Sequence, residues 1–126
     1  MKKIHQTKNA PAPIGPYAQA VEANGFVFLS GQIPIDPFTN QVLTGPVSDQ
    51  ALRVMENIKA VLTAASLSFA DVVQTTIFLV DMNDFGKVND VYSKYFPEQT
   101  AARSTIQVAA LPKGVSVEIE MTAVRS

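Results

Sequence analysis

The stretch SDQALRVMENIKAVLTAA, Ser48 to Ala65, decides how the rest of the chain must fold. Ala51, Met55, Ile58, Leu62 and Ala65 recur at spacings of four and three, which places them on one apolar stripe of a helix. Ser48 or Asp49 caps its start. A single stripe needs a surface to cover it, and the flanking segments read as strands. Downstream, Val72 to Val80 is β-branched and aromatic. A second helix follows, capped by Asn83 or Asp84, with Phe85, Val88, Tyr92 and Tyr95 on its buried face and Pro97 just past its end.

Upstream, Asn9 to Pro16 is rich in breakers and reads as an extended loop ending at Tyr17. Ala18 to Glu22 is a short strand, and Asn24-Gly25 is a two-residue hairpin signal. Phe26 to Ser30 reads as a buried strand. Gly31 interrupts it, and Ile33 and Ile35 resume it as far as Asp36-Pro37, with Pro34 marking an edge or irregular position. Two further strands span Ala101 to Ala109 and Val115 to Val124, and the short Leu111-Pro112-Lys113-Gly114 turn suggests a simple hairpin between them. The order is three strands, helix, strand, helix, two strands. Two singly striped helices cover one face of a sheet, which predicts an α+β domain of two layers. Phe78, Val80, Val117, Ile119 and Met121 supply more apolar strand surface than two helices need, so self-association through the open face is expected.

The 126 residues fit one domain, residues 1–126, with no repeat or linker. A hydrophobic fraction of 47% marks a folded chain, and a net charge of −1 gives no general attraction to nucleic acid or anionic membrane. With no cysteine, thiol chemistry and thiolate metal sites are excluded, and the single His5 cannot build a multi-histidine site. No metal or cofactor is expected. No signal peptide or membrane span is visible, so the expectation is a cytoplasmic protein with no membrane partner.

Within the strand around Arg103-Ser104-Thr105-Ile106-Gln107-Val108, alternation turns Arg103, Thr105 and Gln107 to one side. On the last strand, Glu118 and Glu120 share a face. A guanidinium is a planar fork matched to a carboxylate, and a carboxylate can orient or deprotonate water. Arginine to hold an acid and glutamate to handle water suggest hydrolysis of a small carboxylate. The plainer alternatives are an interface or surface salt bridge for Arg103 and a solvated strand position for Glu118.

Ile14-Gly15-Pro16-Tyr17, Ser30-Gly31-Gln32-Ile33-Pro34, Asn83-Asp84-Phe85 with Val88-Asn89, Ala102-Arg103-Ser104 and Val117-Glu118-Ile119-Glu120 occur in that order. Together they closely resemble the RidA (YjgF) family of reactive intermediate deaminases, over essentially the whole chain. The resemblance implies a chorismate-mutase-like fold, a mixed sheet of about six strands with two helices on one face. There the final strand lies between earlier strands, against the hairpin expectation. It also implies a homotrimer with ligand sites between subunits. The implied activity is that of a 2-iminobutanoate/2-iminopropanoate deaminase, a hydrolase that releases 2-oxo acids and ammonia without cofactor or metal.

By the same resemblance, Arg103 clamps the substrate carboxylate and Glu118 positions water at C2, while Glu120 is structural. Tyr17 hydrogen-bonds ligand or water from across a subunit boundary, where a tyrosine is more commonly core. Ser30 and Gly31 contact ligand, a simple bulge being the alternative. Asn89 orients the site, and Thr105 contacts ligand through its backbone. Two positions depart from the family pattern: Thr105 stands where many members carry cysteine, and Ala101 where proline commonly precedes the alanine-arginine pair. Some relatives carry endoribonuclease or translation-inhibitor descriptions, but no basic cluster with interleaved aromatics is present, so nucleic acid is not an expected partner. A third alternative is a non-enzymatic small-carboxylate-binding or holdase-like module, which would use Arg103 but not Glu118.

Overall fold

The computed structural model describes every residue except Pro97 and Thr100. The expectation that Pro97 follows the second helix lies outside the described residues. The elements in chain order are β1 Lys3–His5, β2 Ala20–Ala23, β3 Phe26–Gln32, α1 Val47–Ala64, β4 Val72–Leu79, α2 Phe85–Tyr95, β5 Ala102–Gln107 and β6 Val117–Val124. The strands form one mixed sheet in the order β1-β2-β3-β6-β4-β5. Both helices pack against each other and on the same face of it, giving a two-layer α+β fold.

The Asn24-Gly25 turn behaves as predicted. Both residues have positive φ, 53° and 81°, the backbone a tight hairpin requires, and Ala23 pairs with Phe26 across it. The α1 stripe is buried throughout, from Ala51 to Ala65. It covers alternate residues of the sheet, Val27 and Leu29 on β3, Ile77 and Leu79 on β4, and Val117 to Ala123 on β6.

Several expectations are corrected. The third early strand is β1, which pairs with β2; it is too short to show alternation. Ile33 and Ile35 do not continue β3 as a ladder. Ile35 makes one isolated bridge to Val42, and the two isoleucines form a satellite core with Val115. Their carbonyls are met instead by the buried Asn57 amide of α1, at 3.3 and 2.9 Å. Neither Ser48 nor Asp49 caps α1; Pro46 holds that position, and no side chain bonds the helix end. Asp84 does hold the N-cap position of α2, as expected, but its side chain makes no capping hydrogen bond. Asp81 accepts from the Asn83 N–H and opens a short 3₁₀ turn, Met82–Asp84, that runs into the helix. On α2 the buried residues are Val88, Val91 and Tyr92, while Phe85 is exposed and Tyr95 half-buried.

The hairpin between the last two strands does not form. β5 lies parallel to β4, with α2 as the crossover that parallel pairing demands. The chain then reverses through Lys113 and Gly114, both at positive φ, and β6 inserts antiparallel between β3 and β4. β5 is therefore an edge strand. The open sheet face also differs in membership. Val117, Ile119 and Met121 belong to the helix-covered core; Phe78 lies on the open face as expected, joined there by Phe26, Phe28 and Ile106.

Candidate active site

Arg103 sits on β5 opposite Thr75 of β4. Thr75 is fully buried and receives the Tyr92 hydroxyl of α2 at 3.1 Å, so this side of the sheet is the helix side. On α2, Phe85, Asn89 and Tyr92 follow at i, i+4 and i+7, and all three meet the arginine. One guanidinium N–H of Arg103 donates to Asn89 Oδ1 at 2.8 Å. The guanidinium carbon lies 4.9 Å from the Tyr92 ring centre and 5.6 Å from that of Phe85. Thr105, two residues along the same strand face, lines a small apolar recess with Phe85, Val88, Asn89 and Arg103. A second cleft of about 280 Å³ opens on the other side of Arg103, between Tyr92, Ser93 and Ala101. Glu98 lines the same cleft, but among the described residues no ion pair to Arg103 is formed.

A second group lies on the opposite, open face. Between the Leu29–Met121 and Gln32–Ile119 pairs, β3 sets two residues, Ser30 and Gly31, against one, Glu120. This β-bulge bends the strand beside Glu118, as bulges beside functional sites do. The Glu118 side chain lies over Gly31: a Cβ there would come within 2.9 Å of Glu118 Cδ. Gly31 is thus both the bulge and the close-approach glycine, with the approaching group Glu118 itself. Glu118 is half-buried, and its carboxyl is raised above the ordinary 4.5, first by that burial and then by the charge of Glu120.

Ser30 joins the bulge to the loop that carries Tyr17. Its hydroxyl donates to Ala18 O at 2.6 Å, and its N–H donates to Gln19 O. Tyr17 is exposed rather than core, and its phenol oxygen accepts the Ile14 N–H. The buried Gln19 anchors this loop by donating to the carbonyls of Thr7, Ala10 and Pro11. Gln19 and the Tyr92 platform are the site features that sequence reasoning missed. Tyr92 lay within the helix stripe and read only as core; nothing marked Gln19.

The structure therefore brings together Arg103, Asn89 and Thr105, and separately Glu118, Gly31 and Ser30 with Tyr17 nearby. It does not bring the two groups together within one chain. Arg103 shares a row with Thr75, and Glu118 shares one with Phe78 and Ile106 on the other side of the sheet. Among the described residues, no group of three or more acidic or histidine side chains is placed to hold a metal ion, and no helix is long and apolar enough to cross a membrane.

Residues 7–125 match the family model described as Endoribonuclease L-PSP. The chain is 49% identical to an Escherichia coli protein named "Putative reactive intermediate deaminase TdcF", over 100% of this chain and 99% of that one. It also superposes on a crystal structure of TdcF with bound serine, with a TM-score of 0.91, 48% identity and coverage of 98% and 99%. A Thermotoga maritima crystal structure matches with a TM-score of 0.97 and 47% identity, covering 100% and 99%. YyfA from Yersinia pestis, of the conserved Rid protein family, matches at 0.94 and 46%, covering 98% and 99%. The chain belongs to the RidA (YjgF) family. Five short motifs pointed there, and this membership agrees with the placement of β6 inside the sheet.

Proposed function

We propose that this protein is a cytoplasmic hydrolase that deaminates small 2-imino acids, 2-iminobutanoate and 2-iminopropanoate, to 2-oxo acids and ammonia. The observation that carries this is Arg103. It is a guanidinium held by one amide and laid beside an aromatic ring on a sheet edge, with no ion-pair partner among the described residues. Such a group is prepared for a carboxylate from elsewhere. TdcF, named for deamination and crystallised with serine, supplies a small carboxylate of the right class.

Arg103 clamps the substrate carboxylate, and Asn89 fixes the fork. Glu118 takes a proton from water as its oxygen adds to C2, forming a carbinolamine. With the imine bound in its protonated form, that proton passes to the carbinolamine nitrogen, the C–N bond breaks and ammonia leaves. The carbinolamine hydroxyl gives its proton to Glu118 as the C2 carbonyl forms, and Glu118 passes this second proton on to the departing ammonia. Water supplies the oxygen and no electron is transferred, so the reaction needs no redox partner. A carboxyl raised by burial is suited to both taking and returning the proton. Tyr17 and Ser30 border the water side, and the Thr105 backbone borders the substrate side. Because Arg103 and Glu118 face opposite sides of one sheet, the site is completed between copies, in a homotrimer whose β5 edge meets a neighbour's open face.

The test couples a threonine dehydratase to the protein and follows 2-oxobutanoate release. The wild type accelerates release; Arg103→Ala and Glu118→Ala do not. Equal acceleration by Arg103→Ala would overturn the assignment. The family description names endoribonuclease activity, and RNA cleavage lost in Arg103→Ala would favour that alternative. Glu118→Ala retaining 2-oxobutanoate binding separates an enzyme from a simple carboxylate sensor, which turns nothing over in either form.

A further inference from the structure

Tyr92 carries two contacts that a core tyrosine does not require. Its hydroxyl donates to Thr75 Oγ1 at 3.1 Å, and its ring stacks on Phe96 with centres 4.5 Å apart and planes inclined by 15°. Thr75 is fully buried and is the residue paired with Arg103 across the β4–β5 ladder. The ring is thus fixed at its tip and on its face, and the strand that fixes the tip also sets the height of Arg103. The Arg103 guanidinium then lies 4.9 Å from the ring centre, with Asn89 taking one N–H in the plane. A ring restrains a guanidinium's tilt, and an amide restrains its rotation. A bidentate clamp needs both, since two parallel hydrogen bonds fail together when the plane tips.

We propose that Tyr92 is the positioning residue for Arg103: a ring locked by Thr75 and Phe96 that holds the guanidinium plane in the orientation an incoming carboxylate requires. The inference rests on the assignment of Arg103 as the carboxylate clamp. Tyr92 itself touches no reacting atom. The clamp engages the carboxylate alike in ground and transition states, so losing the platform raises KM and leaves kcat nearly unchanged.

The experiment compares full-length wild type, Tyr92→Phe, Tyr92→Leu and Val91→Ala. Val91 is also buried on α2, and its truncation loosens the helix without touching Arg103. Calorimetric titration with 2-oxobutanoate, dehydratase-coupled kinetics and the nitrogen-15 resonance of the Arg103 side chain are read at a temperature where all four are folded. Tyr92→Leu weakens 2-oxobutanoate binding and raises KM about tenfold, the scale of a lost cation–ring contact. It changes kcat by less than about twofold and abolishes the ring-current shift at Arg103. Tyr92→Phe keeps the ring, restores the resonance and recovers most of the affinity, and Val91→Ala changes neither. Unchanged binding in Tyr92→Leu, or equal weakening in Val91→Ala, overturns the proposal. A wild type that binds 2-oxobutanoate but releases no product sinks the deaminase assignment alone, and the binding and resonance arms still decide the role of Tyr92.

Discussion

Glu118 fills the space that any side chain at position 31 would need. Gly31 has no left-handed backbone requirement, so alanine fits its φ and ψ; what alanine cannot share is the volume taken by the glutamate. The expected result of Gly31→Ala is therefore a folded protein whose Glu118 is pushed off the bulge. A misplacement of about 1 Å at a reacting group costs on the order of 100-fold in rate. Turnover should fall by that order while circular dichroism and melting temperature stay close to wild type; an unaltered kcat would show that the carboxylate works from another position. In the proposed deamination the same residue sets the acid limit. Glu118 must be ionised to accept a proton from water, and its carboxyl is held above the ordinary 4.5, first by burial and then by Glu120. Activity is thus lost, as pH falls, at a higher pH than an exposed glutamate would give. Glu120→Gln removes one of the two causes, lowers the Glu118 pKa and moves the acid limb of the kcat/KM profile to lower pH. A limb that stays in place would mean that burial alone sets it, or that another group titrates.

Between elements, buried amides do what regular ladders do not. Asn57 of α1 is completely buried, donates to the Ile33 and Ile35 carbonyls and accepts from Arg53 Nε. Asn57→Leu keeps the volume but strands two carbonyls, at a cost of about 2 kcal/mol. The melting temperature should fall by on the order of 5–10 °C in thermal unfolding; a change within about 1 °C would mean that water replaces the amide. This contact also explains part of what the sequence showed and withheld. The α1 stripe, the Asn24-Gly25 turn and β4 are local patterns, and each was legible. Ile33 and Ile35 alternate like a strand, yet their carbonyls go to a helix side chain 22 to 24 residues away, which no local pattern records. The β5–β6 connection misled for the same reason. A four-residue turn looks like a hairpin, but strand order is set by which faces the helices must cover. Arg103 and Glu118 stood out as candidates from strand alternation, and with Asn89 from the family motifs; Tyr92 did not, because a residue beside the guanidinium and a core residue share one stripe.

At the scale of the whole molecule, the open sheet face exposes Phe26 and Phe28, stacked with centres 6.2 Å apart, together with Ile106. Phe78 lies between Ile106 and Glu118 in one cross-strand row of that face. Apolar rows flanking a half-buried carboxylate are suited to a contact between copies that also closes the site. Arg103, on the far side at the sheet edge, would then serve a neighbour's Glu118 and never its own. This makes a sharp prediction for mixtures of two inactive variants. Arg103→Ala subunits keep a sound glutamate, and Glu118→Ala subunits keep a sound arginine. In a closed ring of three, every mixed assembly contains one junction where a sound arginine meets a sound glutamate. Three quarters of randomly reassembled trimers are mixed, so about a quarter of the wild-type activity should return when equal amounts are unfolded and refolded together. The variants refolded separately and then mixed briefly should stay inactive. If arginine and glutamate came from one chain, no wild-type site could form in any mixture, and co-refolding would recover nothing.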